Sequence, residues 1–148
     1  MKGKLTSNRY VNDGLELIFA FIVAFIFYQG LSFGMGTPTP IVSVVSDSML
    51  PILHRGDLVL VGNGNDLRVN DIGIYQRTDS QFTIIHRIVE IQEDGYIFKG
   101  DNNPCVDTVP GNCNGDTLVV RQSQISGKVL FSVPLLGYPR LILFAFGI

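Results

Sequence analysis

The sequence predicts a mainly β domain behind a single N-terminal transmembrane helix. Three observations predict it. One long apolar run, Leu15–Phe33, stands near the amino end. Residues 37 to 140 instead carry short apolar runs separated by turn residues. Charged residues make up only 16% of the chain, against ~25% in soluble domains, and the mean hydropathy is +0.30.

Composition excludes several classes at once. Lys and Arg total 11 against 13 Asp and Glu, a net charge of -2. That balance argues against nucleic acid as a partner, because phosphate neutralisation needs a basic surface. With 46% hydrophobic residues the chain can bury a core, which excludes disorder. Two cysteines and two histidines are too few and too scattered for a structural zinc site, and no other metal is called for. Gly62-Asn63-Gly64 lacks the third glycine and the following helix of a dinucleotide loop, so no nucleotide cofactor is expected either.

The apolar run comes first in the chain. Its strongly polar residues are Glu16 at the start and Gln29 near the end. At 1.5 Å per residue it spans ~28 Å, about one bilayer core. Tyr28 and Phe33 suit the far interface, and Lys2, Lys4 and Arg9 before it place the amino terminus in the cytoplasm. The competing reading is a cleaved signal peptide, but the run is long for one and Gly34-Met35-Gly36 is a poor cleavage site. The expected organisation is a cytoplasmic tail over 1–14, an anchor over 15–33, an extracytoplasmic domain over 34–140 and an apolar, membrane-associated segment over 141–148.

The β runs follow a stiff linker, Thr37-Pro38-Thr39-Pro40. They are Ile41–Val45, Leu58–Val61, Ile72–Gln76, Phe82–Ile91, Gly95–Phe98, Leu118–Val120 and Val129–Val133, with turns at 62–65, 93–95 and 111–115. Beyond the anchor no window sustains a helical period. Leu141–Ile148 is purely apolar, yet eight residues span only ~12 Å, too short to cross a bilayer.

Three short stretches carry chemistry. Ser46-Asp47-Ser48-Met49-Leu50-Pro51 follows a β run directly, then Gly56-Asp57 opens the next. A serine at a strand end, bent by a following proline, can present its hydroxyl and its own N–H at one spot, as acyl transfer needs. His86 lies in a run whose alternation puts it on the face of Phe82, Ile84 and Ile88. That pattern fits a core histidine as well as a base. His54 is the rival base, in a loop six positions after Ser48. Lys99-Gly100-Asp101-Asn102-Asn103 and Asp107 supply carboxylates, one of which could orient an imidazole while the other holds backbone N–H groups of a turn.

Together, the S-D-S-M-x-P, G-D-x-V-x-V, I-I-H-R-I and K-G-D-N-N stretches, in this order behind one anchor, resemble type I signal peptidases of the archaeal and endoplasmic-reticulum kind. The resemblance covers roughly Val42 to Asp107 and implies a signal-peptidase-like β catalytic domain. It implies Ser48 as nucleophile, His86 as general base, Asp107 as the orienting carboxylate and Asp101 as a second required carboxylate. It implies an oxyanion hole from the Ser48 N–H helped by the Ser46 hydroxyl. The implied partners are signal-peptide-bearing preproteins, membrane lipid and accessory subunits, and the implied location is the cell or endoplasmic reticulum membrane. The bacterial branch uses a lysine base, whereas this strand offers His86 and Arg87.

Two alternatives stay open on the residues alone. One is a tethered β domain that binds peptides without cutting them. The other is a Ser-Lys self-cleaving peptidase of the phage-repressor type, which needs a lysine beside the serine; after the anchor only Lys99 and Lys128 occur. Cys105 and Cys113 flank Asp107, and a disulfide is permitted outside the cytoplasm, while a reducing surface would leave two thiols.

The charge placement yields a direct test of topology. Protease added to the outer or lumenal side of sealed vesicles is expected to digest residues 34–140. Digestion from the cytoplasmic side alone would overturn the orientation.

Overall fold

The computed structural model describes residues 3–77, 83–109 and 111–138. Phe82, the end of the expected domain and the apolar segment 141–148 lie outside the described residues. The chain divides into two units, residues 1–34 and 35–148.

The first unit is one helix, α1, Gly3–Met35. Within it Arg9–Met35 is long and apolar enough to cross a membrane, with a mean hydropathy of 2.0 and none of its most apolar window buried. Phe19, Phe21, Phe25 and Ile26 all stand exposed, so no single stripe is apolar; a helix apolar all round needs lipid or a large core. The helix starts well before Leu15. Residues 3–14, expected as a tail, are helical too, because the hydrogen bonds of a helix are internal to its backbone.

Among its described residues the second unit has nine strands: β1 (Ile41–Ser43), β2 (Leu58–Gly62), β3 (Ile72–Gln76), β4 (Thr83–Gln92), β5 (Gly95–Lys99), β6 (Thr108–Val109), β7 (Asp116–Thr117), β8 (Val119–Val120) and β9 (Ile125–Val133). Seven of them form a sheet in the order β1-β2-β9-β3-β4-β5-β8, and β6 pairs with β7 apart from it. The paired strands are antiparallel. β1 is shorter than its apolar run, but Val44 continues the pairing through its N–H to the Asp57 carbonyl and its carbonyl to the Gly56 N–H. β9 begins four residues before its apolar run, at Ile125, because Ser126, Gly127 and Lys128 interrupt the apolar pattern but not the backbone ladder.

Strand alternation divides the core in two. Val59, Val61 and Ile74 pack with Val44, Met49 and Leu53 in one cluster. Tyr75, Ile88 and Phe98 pack with Leu67 and Val120 in the other. In β3 the neighbours Ile74 and Tyr75 point to opposite clusters, as do Ile85 and Ile84 opposite them in β4. His86 follows the Ile84–Ile88 face, as its alternation predicts.

One ion pair ties β9 to the entrance of β3. Lys128 Nζ lies 2.7 Å from Asp71 Oδ2, which also accepts the Arg68 N–H at 2.8 Å. Burial pushes the Asp71 carboxyl up, but these hydrogen bonds and the Lys128 charge outweigh it and hold it below its ordinary 3.8. A depressed carboxyl contributes stability above its unfolded pKa and loses it as pH falls through the folded value. Asp71→Asn is therefore expected to lower the thermal midpoint at pH 7 by about 3–5 °C. The gap to wild type should close below pH 4, and melting curves across that range check it.

Candidate active site

Ser48 sits in the bend that follows β1, half-buried between Asp47 and buried Met49. The bend is fixed locally: the Leu50 N–H reaches back to the Asp47 carbonyl, and the Ile52 and Leu53 N–H groups both reach Met49. Asp57, 3% exposed, closes the loop by accepting the His54 N–H on Oδ2 and the Leu135 N–H on Oδ1. Gly56 before it has φ +95°, a conformation L side chains rarely adopt. The G-D pair is thus a structural clasp for the serine loop.

His86 reaches the serine from β4. Its Nε2 lies 3.1 Å from Ser48 Oγ, and its Nδ1 lies 2.6 Å from Asp107 Oδ2. The ring is 7% exposed and the Asp107 side chain 8%. A carboxylate only accepts, so Nδ1 carries the proton toward Asp107 and Nε2 faces the serine hydroxyl as acceptor. Ser46 Oγ stands 3.1 Å from Ser48 Oγ. An imidazole held this way can take a hydroxyl proton and return it to a leaving group.

Asp107 is anchored on both sides. Its N–H donates to the Phe98 carbonyl and its carbonyl accepts the Leu118 N–H, each at 2.8 Å. Cys105 and Cys113 are joined in a disulfide that brackets it. Its Oδ2 also accepts the Tyr75 hydroxyl at 2.7 Å. Tyr75 is fully buried, and the sequence reading missed it. The available signal was a phenol inside a β run, since a buried tyrosine hydroxyl must find an acceptor.

Asp101 goes elsewhere. It pairs with Arg87 through two contacts, Nε–Oδ1 at 2.8 Å and Nη2–Oδ2 at 2.6 Å, rather than with local backbone N–H groups as a turn aspartate would. Arg87 alternates away from His86 along β4, which is why its neighbour's carboxylate is a different one. These hydrogen bonds raise the Arg87 pKa against the opposing effect of burial. Arg87 Nη1 also donates to the Asn70 carbonyl. The 100–103 turn so held meets the serine loop: the Asn102 N–H donates to the Ser48 carbonyl at 2.8 Å, and its side-chain amide to Asp47. A Cβ on Gly100 would lie 2.7 Å from that same carbonyl, so the turn docks there only with glycine. Asp101 thus acts on the serine loop through the backbone of its own turn.

His54 is not brought to the site; its side chain is 62% exposed, with Nδ1 3.9 Å from Asp57. Beside His86 and Asp107 opens a cavity of about 330 Å³ lined also by Arg77, Ile84, Asn103 and Val106. Among the described residues no group of three or more His, Cys, Asp or Glu side chains is placed to hold a metal ion.

Residues 26–109, which include Ser48, His86, Asp101 and Asp107, match the Peptidase S24-like family. The chain is 36% identical over 126 residues to the signal peptidase complex catalytic subunit sec11 of Pyrenophora teres f. teres, covering 81% of this chain and 72% of that one. It is 39% identical over 127 residues to the corresponding SEC11 of Verticillium alfalfae, covering 81% and 73%. With SEC11 of Saccharomyces cerevisiae it shares 32% over 130 residues, covering 84% and 77%.

Removing the Asp101 carboxylate strands the Arg87 guanidinium and frees the 100–103 turn. Asp101→Ala is expected to destabilise by about 1–3 kcal/mol, a drop of several degrees in the melting midpoint. Asp101→Asn, which keeps one acceptor, should recover part of it. An unchanged midpoint for Asp101→Ala would show that the pair holds nothing.

Proposed function

The chain belongs to the Peptidase S24-like family, among the catalytic subunits of signal peptidase complexes, and from that premise we propose that it cleaves signal peptides from preproteins as a membrane-tethered serine endopeptidase. The contact chain Ser48–His86–Asp107 carries this reading. Ser48 Oγ attacks the carbonyl before the scissile bond while His86 Nε2 takes its proton, and Asp107 stabilises the imidazolium that forms. The tetrahedral oxyanion is met by the Ser48 N–H and the Ser46 hydroxyl; one such donor is worth ~3 kcal/mol of transition-state stabilisation. His86 then protonates the leaving amine, and a water deprotonated by the same nitrogen hydrolyses the acyl-Ser48 ester.

The substrate binds as an extended segment beside β1. That strand ends the seven-stranded sheet, which leaves an edge for an added strand next to the serine loop. Shallow pockets would admit small side chains at the first and third positions before the cut. The helix α1 is the tether, residues 15–33 are its membrane-embedded part, and the domain after it works outside the cytoplasm or in the endoplasmic reticulum lumen. The named relatives are subunits of a complex, which supports accessory subunits for this chain as well.

Full-length protein in detergent, incubated with a preprotein, tests the reading. Ser48→Ala and His86→Ala are expected to lower cleavage by at least about 10³-fold, and Asp107→Asn by more than 10²-fold without unfolding. His54→Ala should stay near wild type. Activity lost with His54→Ala and kept with His86→Ala would reverse the assignment of the base, and cleavage surviving Ser48→Ala would remove the mechanism.

A further inference from the structure

One buried group at the site has no part in the proton transfers above, yet it touches the residue that orients the base. We infer that Tyr75 is a positioning residue: its hydroxyl fixes the Asp107 carboxylate so that Oδ2 serves His86 and the phenol at once. This rests on the acyl-transfer reading.

The register makes the contact. β3 and β4 pair Gly73 with His86 and Tyr75 with Ile84, so Tyr75 and His86 are diagonal neighbours on one face of the sheet. Tyr75 is 0% exposed, and its ring is held 4.7 Å from Phe98, centroid to centroid. The Phe98 carbonyl in turn holds the Asp107 N–H. The phenol and the aspartate are therefore fixed to the same strand from two sides. Ring and carboxylate meet with Tyr75 Oη donating at 2.7 Å to the oxygen that lies 2.6 Å from His86 Nδ1.

Sharing one oxygen has two effects. The phenol stops the carboxylate from rotating away from the imidazole, and it satisfies the acceptor capacity of Oδ2 that the imidazole leaves open. Arg77, at the end of β3, lines the same cavity and donates to the Thr108 carbonyl. Asp47 is exposed in the serine loop, and Arg87 is turned to Asp101. None of these touches Oδ2 among the described contacts.

Tyr75→Phe removes only the hydroxyl and keeps the ring against Phe98. In full-length protein it is expected to lower kcat about tenfold with KM within about twofold of wild type. The His86 Nδ1–H resonance, followed by NMR, should move upfield and exchange faster with solvent, because the carboxylate is then free to turn away from the ring. In an Asp107→Asn background the same change should cost almost nothing, since its action runs through the carboxylate. A kcat and a His86 Nδ1–H resonance both equal to wild type would overturn the inference. So would a loss of kcat that is additive with Asp107→Asn and tracks a lower melting midpoint, the mark of a packing role. If the wild-type chain cleaves no preprotein, the function reading fails, and the Nδ1–H resonance, which needs no turnover, still decides whether Tyr75 acts on the Asp107–His86 pair.

Discussion

A carboxylate kept charged away from water is the constraint on which the site depends. Burying an ionised group costs several kcal/mol unless partners repay it in geometry. The Asp107 carboxylate finds those partners on different strands, His86 on β4 and Tyr75 on β3, while its backbone N–H is held by the Phe98 carbonyl on β5. These three strands are neighbours in the sheet. Their register decides whether three groups, far apart in the chain, fall within hydrogen-bond reach of a single residue. The sheet is thus the part of the site that sets distance, and the side chains are the part that sets chemistry.

The serine is supported from the opposite direction. Adjacent residues of β4 face opposite ways, so His86 serves the carboxylate on one side and Arg87 the 100–103 turn on the other. That turn reaches Ser48 by backbone, through the Asn102 N–H. His86 and Ser48 are therefore registered against the same strand by two independent routes, one through side chains and one through a turn. An exposed polar turn with Gly, Asp and two Asn would be unremarkable in isolation. Here its glycine makes room for the serine carbonyl, and its aspartate answers the arginine.

Much of this was legible in the sequence, and for physical reasons. The ends of β2, β3 and β5 coincide closely with their apolar runs because Gly, Asn and Asp stop a strand chemically. His86 could be placed on a face by alternation alone. The pairing of β6 with β7 could not, since two-residue strands carry no periodicity. Spacing did not separate Asp101 from Asp107; only the family resemblance did, and the partner of Asp101 proved to be a side chain rather than a turn backbone. Tyr75 was hidden because a tyrosine in a β run reads as core until the oxygen beside it is known. Helix α1 ran past both predicted ends, as polarity ends a membrane span but not a helix.

An open sheet edge next to Ser48 also invites the wrong guest, another copy of the same sheet. Both edges here are short: β1 has three residues and β8 two. Upstream of β1 stand Pro38 and Pro40, which have no N–H to offer a neighbouring strand, and the Pro40 carbonyl is already taken by the Val61 N–H. Such an edge can register a few residues of a single extended chain but gives too few consecutive bonds for sheet-to-sheet growth. Domains tethered side by side in two dimensions would find little in so short an edge to polymerise through.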